Sequence, residues 1–441
     1  MPDTDLTTFL DAPLFTPWRD PCSGITSYIL GDGPGRRLAA HQQSFYYTSP
    51  SLFVGHDAAN SPKPLRYWFY CFNPPEGSAA FGRTLGSLDL VTGKLRHYPE
   101  TSFSEASPML DTLTGDIYWA NPNGIRKLSH PDPAADNQAS AQSALVARFS
   151  ASLVAGREVR RYATHLTLSA DRRALGIDTR IGDECFVGQA LLDGSGQIEI
   201  WEKLSGDHTW NHGQFHPRIP DLLLFAQDFR TDPVTGQTRR YQNRMWTIRR
   251  GQKSIPVYPE NPLSNRPPEE AQAYRKTATI SHVADLARTV VTDPRAMHGH
   301  EWWSADGDHI YYIHYQTGIE RIPLARAGAA DAAKATELVW PHRTVSHAHA
   351  SADEKRIVLD ALPPDAPDTH HVRFVNLATR RTVDIVSRYP APDPELRRYH
   401  VHPHPQFCAD DQLVCYTTTV LGRADVAFVR VAELVSATES V

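Results

Sequence analysis

The chain has 441 residues, 41% of them hydrophobic, and 45 basic against 50 acidic side chains give it a formal net charge of −5. Its basic residues never gather beyond pairs such as Arg249-Arg250 and Arg397-Arg398, so the electrostatic footprint of a nucleic-acid binder is absent. No apolar run, Leu222 to Ala226 being among the longest, approaches the roughly 20 residues that a helix needs to cross a bilayer, which excludes membrane insertion of that kind.

The opening stretch, Met1 to Asp20, carries Asp3, Asp5 and Asp11 and lacks the basic start and apolar run of a secretory signal, so a cytoplasmic location is expected. Cys22, Cys71, Cys185, Cys408 and Cys415 are odd in number, scattered and without a CxxC pair, which fits a reducing compartment better than a disulfide framework. Residues 1–30 read as an extension or a closing segment. Seven weak repeats follow, each a polar start, a turn signal and an alternating apolar and aromatic strand: His41 to Cys71, Phe103 to Ala120, His165 to Asp178, His212 to Asp228, His300 to Tyr315, His347 to Ala361 and His402 to Thr418. They begin about 45 to 90 residues apart, the spacing of propeller blades.

Turns of a second kind, at Asp89 to Gly93, Asp193 to Gly196 and Asp232 to Gly236, supply another hairpin per repeat. Two hairpins make a four-stranded antiparallel blade, and seven of them predict an all-β, seven-bladed β-propeller around a central funnel, one domain over residues 1–441. Residues 256–288 are a Pro- and Glu-rich inserted connection, and short helices are expected at Pro268 to Lys276 and Leu324 to Lys334. Asp425 to Val431 is the last strand, a candidate to close the ring with N-terminal residues.

Most of the 21 histidines, taken one at a time, read as surface or satisfied core side chains. Their register says more. Four residues before the first position of a turn triplet stand His165 (Ser169-Ala-Asp171), His212 (His216-Pro217), His300 (Ser304-Ala-Asp306), His347 (Ser351-Ala-Asp353) and His404 (Cys408-Ala-Asp410). Equivalent positions at the start of innermost strands converge in a propeller, and a purely structural repeat has no packing reason to fill them with imidazole. In His402-Pro403-His404, strand alternation puts both rings on one face of a stiffened strand, with His347 from the neighbouring blade as a third ligand. Three imidazoles suit Mn, Fe, Co, Ni or Zn rather than Ca or Mg. His349, two residues beyond His347, and His400 stand either as ligands or as supports behind them.

Arg244-Met245-Trp246, then Gly299-His300-Glu301-Trp302-Trp303 with Ala305-Asp306-Gly307, then Ser346-His347, then His402-Pro403-His404-Pro405 with Phe407, resemble in order and spacing the oligogalacturonate lyases. These are seven-bladed propellers that cleave short pectin-derived uronate oligomers by β-elimination with a divalent metal. The likeness covers the C-terminal half from about His212; upstream it is limited to blade rhythm, including His41 with Phe45-Tyr46-Tyr47. It implies that His347, His402 and His404 ligate the metal, with Mn²⁺ as the expected ion, that His300 is the base, and that Arg244 neutralises charge on an anionic oligosaccharide. In the family a glutamine three residues before the HPH motif completes the coordination. Tyr399 stands there in this chain, which leaves the fourth position to Tyr399 itself, His400, His349 or water.

The chemistry asks for such groups independently. Removing the proton α to a uronate carboxylate builds up enediolate charge, which a metal and an arginine stabilise while a histidine takes the proton. Tyr46, Tyr47 or water are candidates to protonate the leaving oxygen. His212, His165, His41 and Arg180, with Arg161, are candidate substrate contacts, and Trp302 and Trp303 are either sugar platforms or blade core. Two other readings stay open: a propeller lyase or hydrolase acting on a different uronate-containing glycan, and a non-catalytic binding propeller.

Overall fold

Short strands with β-branched and aromatic residues, broken every few positions by Gly, Asp or Pro, leave each sheet two apolar faces to cover. In the computed structural model, which describes residues 5–31, 37–56, 61–78, 82–103, 108–129, 143–206, 208–231, 238–240, 244–259, 289–291, 298–362, 369–390 and 394–439, that need is met by seven antiparallel four-stranded blades. The protein is a seven-bladed β-propeller and nearly all β. No helix among the described residues is long and apolar enough to cross a membrane.

Two compact units divide the chain, one of residues 1–121, 126–144 and 346–441, the other of residues 122–125 and 145–345. In the second unit, Val159–Arg161, Ala174–Ile181, Glu184–Leu191 and Ile198–Leu204 form one blade in chain order. Leu222–Thr231 lies beside both His208–Phe215 and Met245–Arg249 in the next, and His298–Trp303, His309–His314, Gly318–Pro323 and Glu337–Pro341 form a third. Leu222–Thr231 also carries Thr238–Arg240, which runs parallel to Thr289–Val291. Most of the expected 256–288 connection, the helix expected at Pro268 to Lys276 and the turn at Asp232 to Gly236 lie outside the described residues.

In the first unit, Val345–Ala350, Arg356–Ala361, His371–Asn376 and Arg381–Val386 make a blade. The following one joins both ends of the chain: Gln406–Cys408, Leu413–Thr418 and Asp425–Arg430 are continued by Thr26–Leu30 and Phe15–Arg19, with Tyr28 opposite Phe428 and Ile29 opposite Ala427. Asp20 ties the turn between the two N-terminal strands to the preceding blade. Its carboxylate accepts from the backbone N–H and hydroxyl of Ser387, both at 2.8 Å, and from the N–H groups of Ser23 and Cys22. A C-terminal helix, Val431–Glu439, not anticipated from the sequence, buries Val431, Leu434 and Thr438, and its Glu433 accepts from the Thr26 N–H at 2.9 Å.

The core lies between neighbouring blades, since both faces of each sheet are covered. Ala174, Cys185 and Val187 of one blade meet Trp210, Phe215 and Phe225 of the next; elsewhere Val358, Phe374 and Ile385 meet Phe407, Val414 and Val429. The single helix expected over Leu324 to Lys334 is instead two 3-10 turns, Leu324–Arg326 and Ala332–Ala335, because Gly328 between them adopts φ 80° and breaks the helical path.

Candidate functional site

The register of the histidines has a structural cause in the turns that follow them. In three blades a serine hydroxyl donates to an aspartate two residues on: Ser169 to Asp171 at 2.7 Å, Ser304 to Asp306 at 2.6 Å and Ser351 to Asp353 at 2.7 Å. In a fourth the imidazole of His216 takes the serine's place, its Nδ1 accepting from the N–H groups of Arg218 and Ile219 at 3.0 and 2.9 Å. Its Nε2 reaches the Gly307 carbonyl at 2.9 Å, and a Cβ on Gly307 would lie 2.3 Å from that ring. A fixed turn fixes the strand entering it, and so the residue four places earlier.

The first unit brings together His347, His400, His402 and His404, one ring nitrogen of each lying within 4.8 Å of the others. His347 sits in Val345–Ala350 and is wholly buried; His404 is buried, His402 half-buried and His400 exposed. The expected strand through His402 and His404 is not formed. The strand begins at Gln406, and the preceding segment turns sharply: the His402 N–H donates to the His400 carbonyl at 3.0 Å, and His400 and His404 have φ of 53° and 45°. Pro403 has no N–H to give a ladder, which favours this irregular path. Left-handed backbone at such residues costs roughly 1–3 kcal/mol each and persists where surroundings enforce it.

Part of the enforcement comes from Asp360, a fully buried residue that sequence reasoning missed. Its carboxylate accepts from the His347 N–H at 3.0 Å, from His347 Nδ1 at 3.0 Å and from the His404 N–H at 3.1 Å. Because a carboxylate only accepts, His347 carries its proton on Nδ1 and presents the Nε2 lone pair, an arrangement typical behind metal-binding histidines. Burial, followed by the neighbouring histidines, holds the His402 and His404 imidazoles well below their ordinary pKa, so both are neutral donors of lone pairs. His404 Nε2 is buried with no hydrogen-bond partner among the described residues. Four ring nitrogens within 4.8 Å of one another, that of His404 orphaned, fit a divalent transition ion.

Tyr46 and Tyr47 wall this group. They lie where the innermost strand of their blade is interrupted between His41–Gln43 and Leu52–His56, and the Tyr46 ring packs edge-on against His404 at 4.8 Å. Tyr47 lies 5.7 Å from His347. Other expected members stand apart. The Tyr399 ring stacks on Phe72 at 4.6 Å among Leu396, Val401 and Ala424, and its hydroxyl donates to the Glu76 carbonyl. His41 covers the same phenyl ring at 5.2 Å and accepts from the Ala424 N–H. His349 accepts from the Phe407 N–H at 3.2 Å, burial pushing its pKa down to about 4.

The second unit gathers His165, His212 and His300. The strands His208–Phe215 and His298–Trp303 each slip register, between Asn211 and Gln214 and between Gly299 and Trp302. His212 and His300 sit in these bulges at φ 57° and 51°, which re-aims their side chains out of the ladder. A Cβ at Gly299 would fall 2.5 Å from the Tyr315 hydroxyl, so a side chain before His300 would have to displace that ring. His165 packs edge-on against His212 at 4.8 Å and is driven well below its ordinary pKa by burial and then by His212.

Arg244 is 2% exposed and its guanidinium is committed on three sides: Nε to Glu301 at 3.0 Å, one Nη to Asp228 at 2.8 Å, the other to His212 Nδ1 at 3.2 Å. Burial opposes its charge, but Glu301 and Asp228 outweigh that and raise its pKa; burial likewise opposes ionised Glu301, and Arg244 prevails, holding its carboxyl below the usual range. The same Nδ1 lies 3.3 Å from Glu301 Oε1, so the His212 ring is held between the guanidinium and the carboxylate. Trp302 stacks on Tyr311 at 5.1 Å and Trp303 packs on His216 at 4.7 Å, both as blade core. Arg180 is turned toward Asp183, and Arg161 is bound to Asp178 and the Trp210 carbonyl.

No protein-family model matches the sequence, and no curated protein does. Similarity appears among solved structures. An oligogalacturonate lyase in complex with manganese superposes with a TM-score of 0.61 at 14% identity, over 94% of this chain and 96% of that one. The oligogalacturonate lyase of Vibrio parahaemolyticus gives 0.59 at 13% identity, over 95% and 96%. The likeness is one of fold.

Asp360 and Glu301 had a sequence signal of different strengths. His347 to Asp360 and His165 to Asp178 share one pattern, His-x-x-x-Ser-Ala-Asp followed by an aspartate at the same offset, placing an acid on the second strand opposite a histidine on the first. Asp178 indeed accepts from Thr164 and from the Gly213 N–H. For Glu301, adjacency to His300 gave no hint that its carboxylate would bind Arg244, 57 positions earlier.

Proposed function

We propose that this chain is a cytoplasmic, metal-dependent polysaccharide lyase that cleaves small uronate oligosaccharides, the oligogalacturonides, by β-elimination and leaves a 4,5-unsaturated uronate. The supporting observation is the four-histidine group braced by Asp360, in a chain whose fold resembles a manganese-bound oligogalacturonate lyase over 94% of its length. His347, His402 and His404 would hold the divalent ion, which when bound supplies positive charge for the uronate carboxylate as its α-proton is lost.

His300 takes the proton from C5. The electrons of that C–H bond form the C4–C5 double bond, and the C4–O bond breaks toward the leaving sugar, whose oxygen gains a proton. Arg244, already balanced by Glu301 and Asp228, serves as a positioning residue: together with Glu301 it holds the His212 ring at Nδ1. His165 backs the His212 ring. The bulged backbone at His212 and His300 holds both imidazoles before substrate arrives, the pre-organisation that catalysis rewards.

The test follows the ultraviolet absorbance of the conjugated product when the protein meets di- and trigalacturonate. Absorbance that rises, stops with chelator, returns with Mn²⁺ and fails in His300→Ala supports the reading. New reducing ends without absorbance would make the protein a hydrolase, and inertness toward galacturonate and other uronate oligomers alike would leave a binding propeller.

A further inference from the structure

We propose that His400 is a metal ligand of this chain, so that the ion is held by four imidazole nitrogens and no protein oxygen. The inference rests on the metal-binding part of the function proposed above and not on the lyase chemistry.

The geometry is that of a fourth arm folded over three others. The His400 ring centroid lies 4.0 Å from that of His402 and 5.8 Å from that of His404, and its nitrogen falls within the same 4.8 Å group. Its backbone is held for this. Gln43 donates to the His400 carbonyl at 3.1 Å and His402 donates to the same oxygen at 3.0 Å, with His400 at φ 53°. Because His400 is exposed whereas His347 and His404 are buried, it closes the site from the solvent side.

Ligand chemistry then sets the preference. An all-nitrogen, charge-neutral set favours Co²⁺, Ni²⁺, Cu²⁺ and Zn²⁺ over Mn²⁺, and offers nothing to Mg²⁺ or Ca²⁺. The anion balancing the ion is Asp360, one bond further out.

The experiment uses the full chain freed of metal. Cu²⁺-loaded protein is examined by pulsed electron paramagnetic resonance, which counts bound imidazoles, and Co²⁺ and Mn²⁺ are titrated calorimetrically into wild type, His400→Asn and His347→Ala. Asparagine tolerates the left-handed backbone, so the first variant tests the ring and not the turn. Expected are four imidazoles in wild type and three in His400→Asn, with Co²⁺ affinity down at least tenfold. Three imidazoles in both proteins with unchanged Co²⁺ affinity would overturn the assignment of His400. Absence of binding to wild type would instead overturn the metal reading itself, whatever lyase activity is found.

Discussion

Replacing Asp360 by asparagine changes one atom and no volume, yet it should loosen the whole histidine group. The carboxylate receives the His347 N–H, the His347 Nδ1–H and the His404 N–H at 3.0 to 3.1 Å in a place without solvent. An amide offers one accepting oxygen, so at least one of these donors must face an N–H₂ group. A buried donor left without an acceptor costs about 1–3 kcal/mol. Beyond that, His347 is no longer bound to its Nδ1–H tautomer and His404 loses a hold on its left-handed backbone. Changes to such outer carboxylates lower metal affinity about 10- to 100-fold, which corresponds to about 1.4–2.8 kcal/mol. Calorimetric titration of the metal-free full chain with Co²⁺, wild type against Asp360→Asn, reads this directly, and thermal unfolding without metal reads the structural cost. Affinity within twofold of wild type, with unchanged unfolding, would refute the reasoning.

Glu301→Gln should leave Arg244 buried with only Asp228 to balance it, a loss of about 3–5 kcal/mol for a broken buried pair, seen as a lower denaturant midpoint. The pH dependence has a definite sign: Glu301 is held below its ordinary 4.5 in the folded chain, so its contribution is full above that pH and is lost on acidification, and Glu301→Gln should show a shallower decline between pH 5 and 3 by about one proton's worth. Asp20→Ala should cost about 1–3 kcal/mol by freeing the N–H groups of Ser23 and Cys22 in its own turn and of Ser387 on the preceding blade, and limited proteolysis should then cut near the N-terminal strands first. Gly299→Ala should misplace His300 without touching it, lowering the rate of absorbance rise while leaving Co²⁺ affinity within twofold, since the added Cβ meets Tyr315 in the other unit's histidine group. Tyr399→Phe should leave Co²⁺ affinity unchanged, its ring belonging to the Phe72 stack.

The blade rhythm was legible because it is local: alternation, turn residues and the spacing between them are written within a few positions of one another, and the Ser-Ala-Asp turns that set the histidine register are hydrogen-bonded two residues apart. The gathering of His347 with His404 follows from the same register. What alternation misjudged were the departures from it. His402-Pro403-His404 reads as strand, but a proline that cannot join a ladder and a carboxylate drawn from a neighbouring strand turn it into an irregular, left-handed path. The bulges at His212 and His300 were equally invisible, since a one-residue slip depends on what the partner strand offers.

The sequence by itself determined the repeat, the blade count and the set of imidazoles available, because each is a matter of residues near one another in the chain. Only the tertiary structure decided which charges are spent and which are open. Arg244 reads as a free cation until Glu301, 57 positions away, and Asp228 are seen against it. Asp360 reads as a strand residue until it is found beneath both His347 and His404, the latter 44 positions on. Electrostatic partnership depends on distance in space and on burial, and neither is carried by order along the chain.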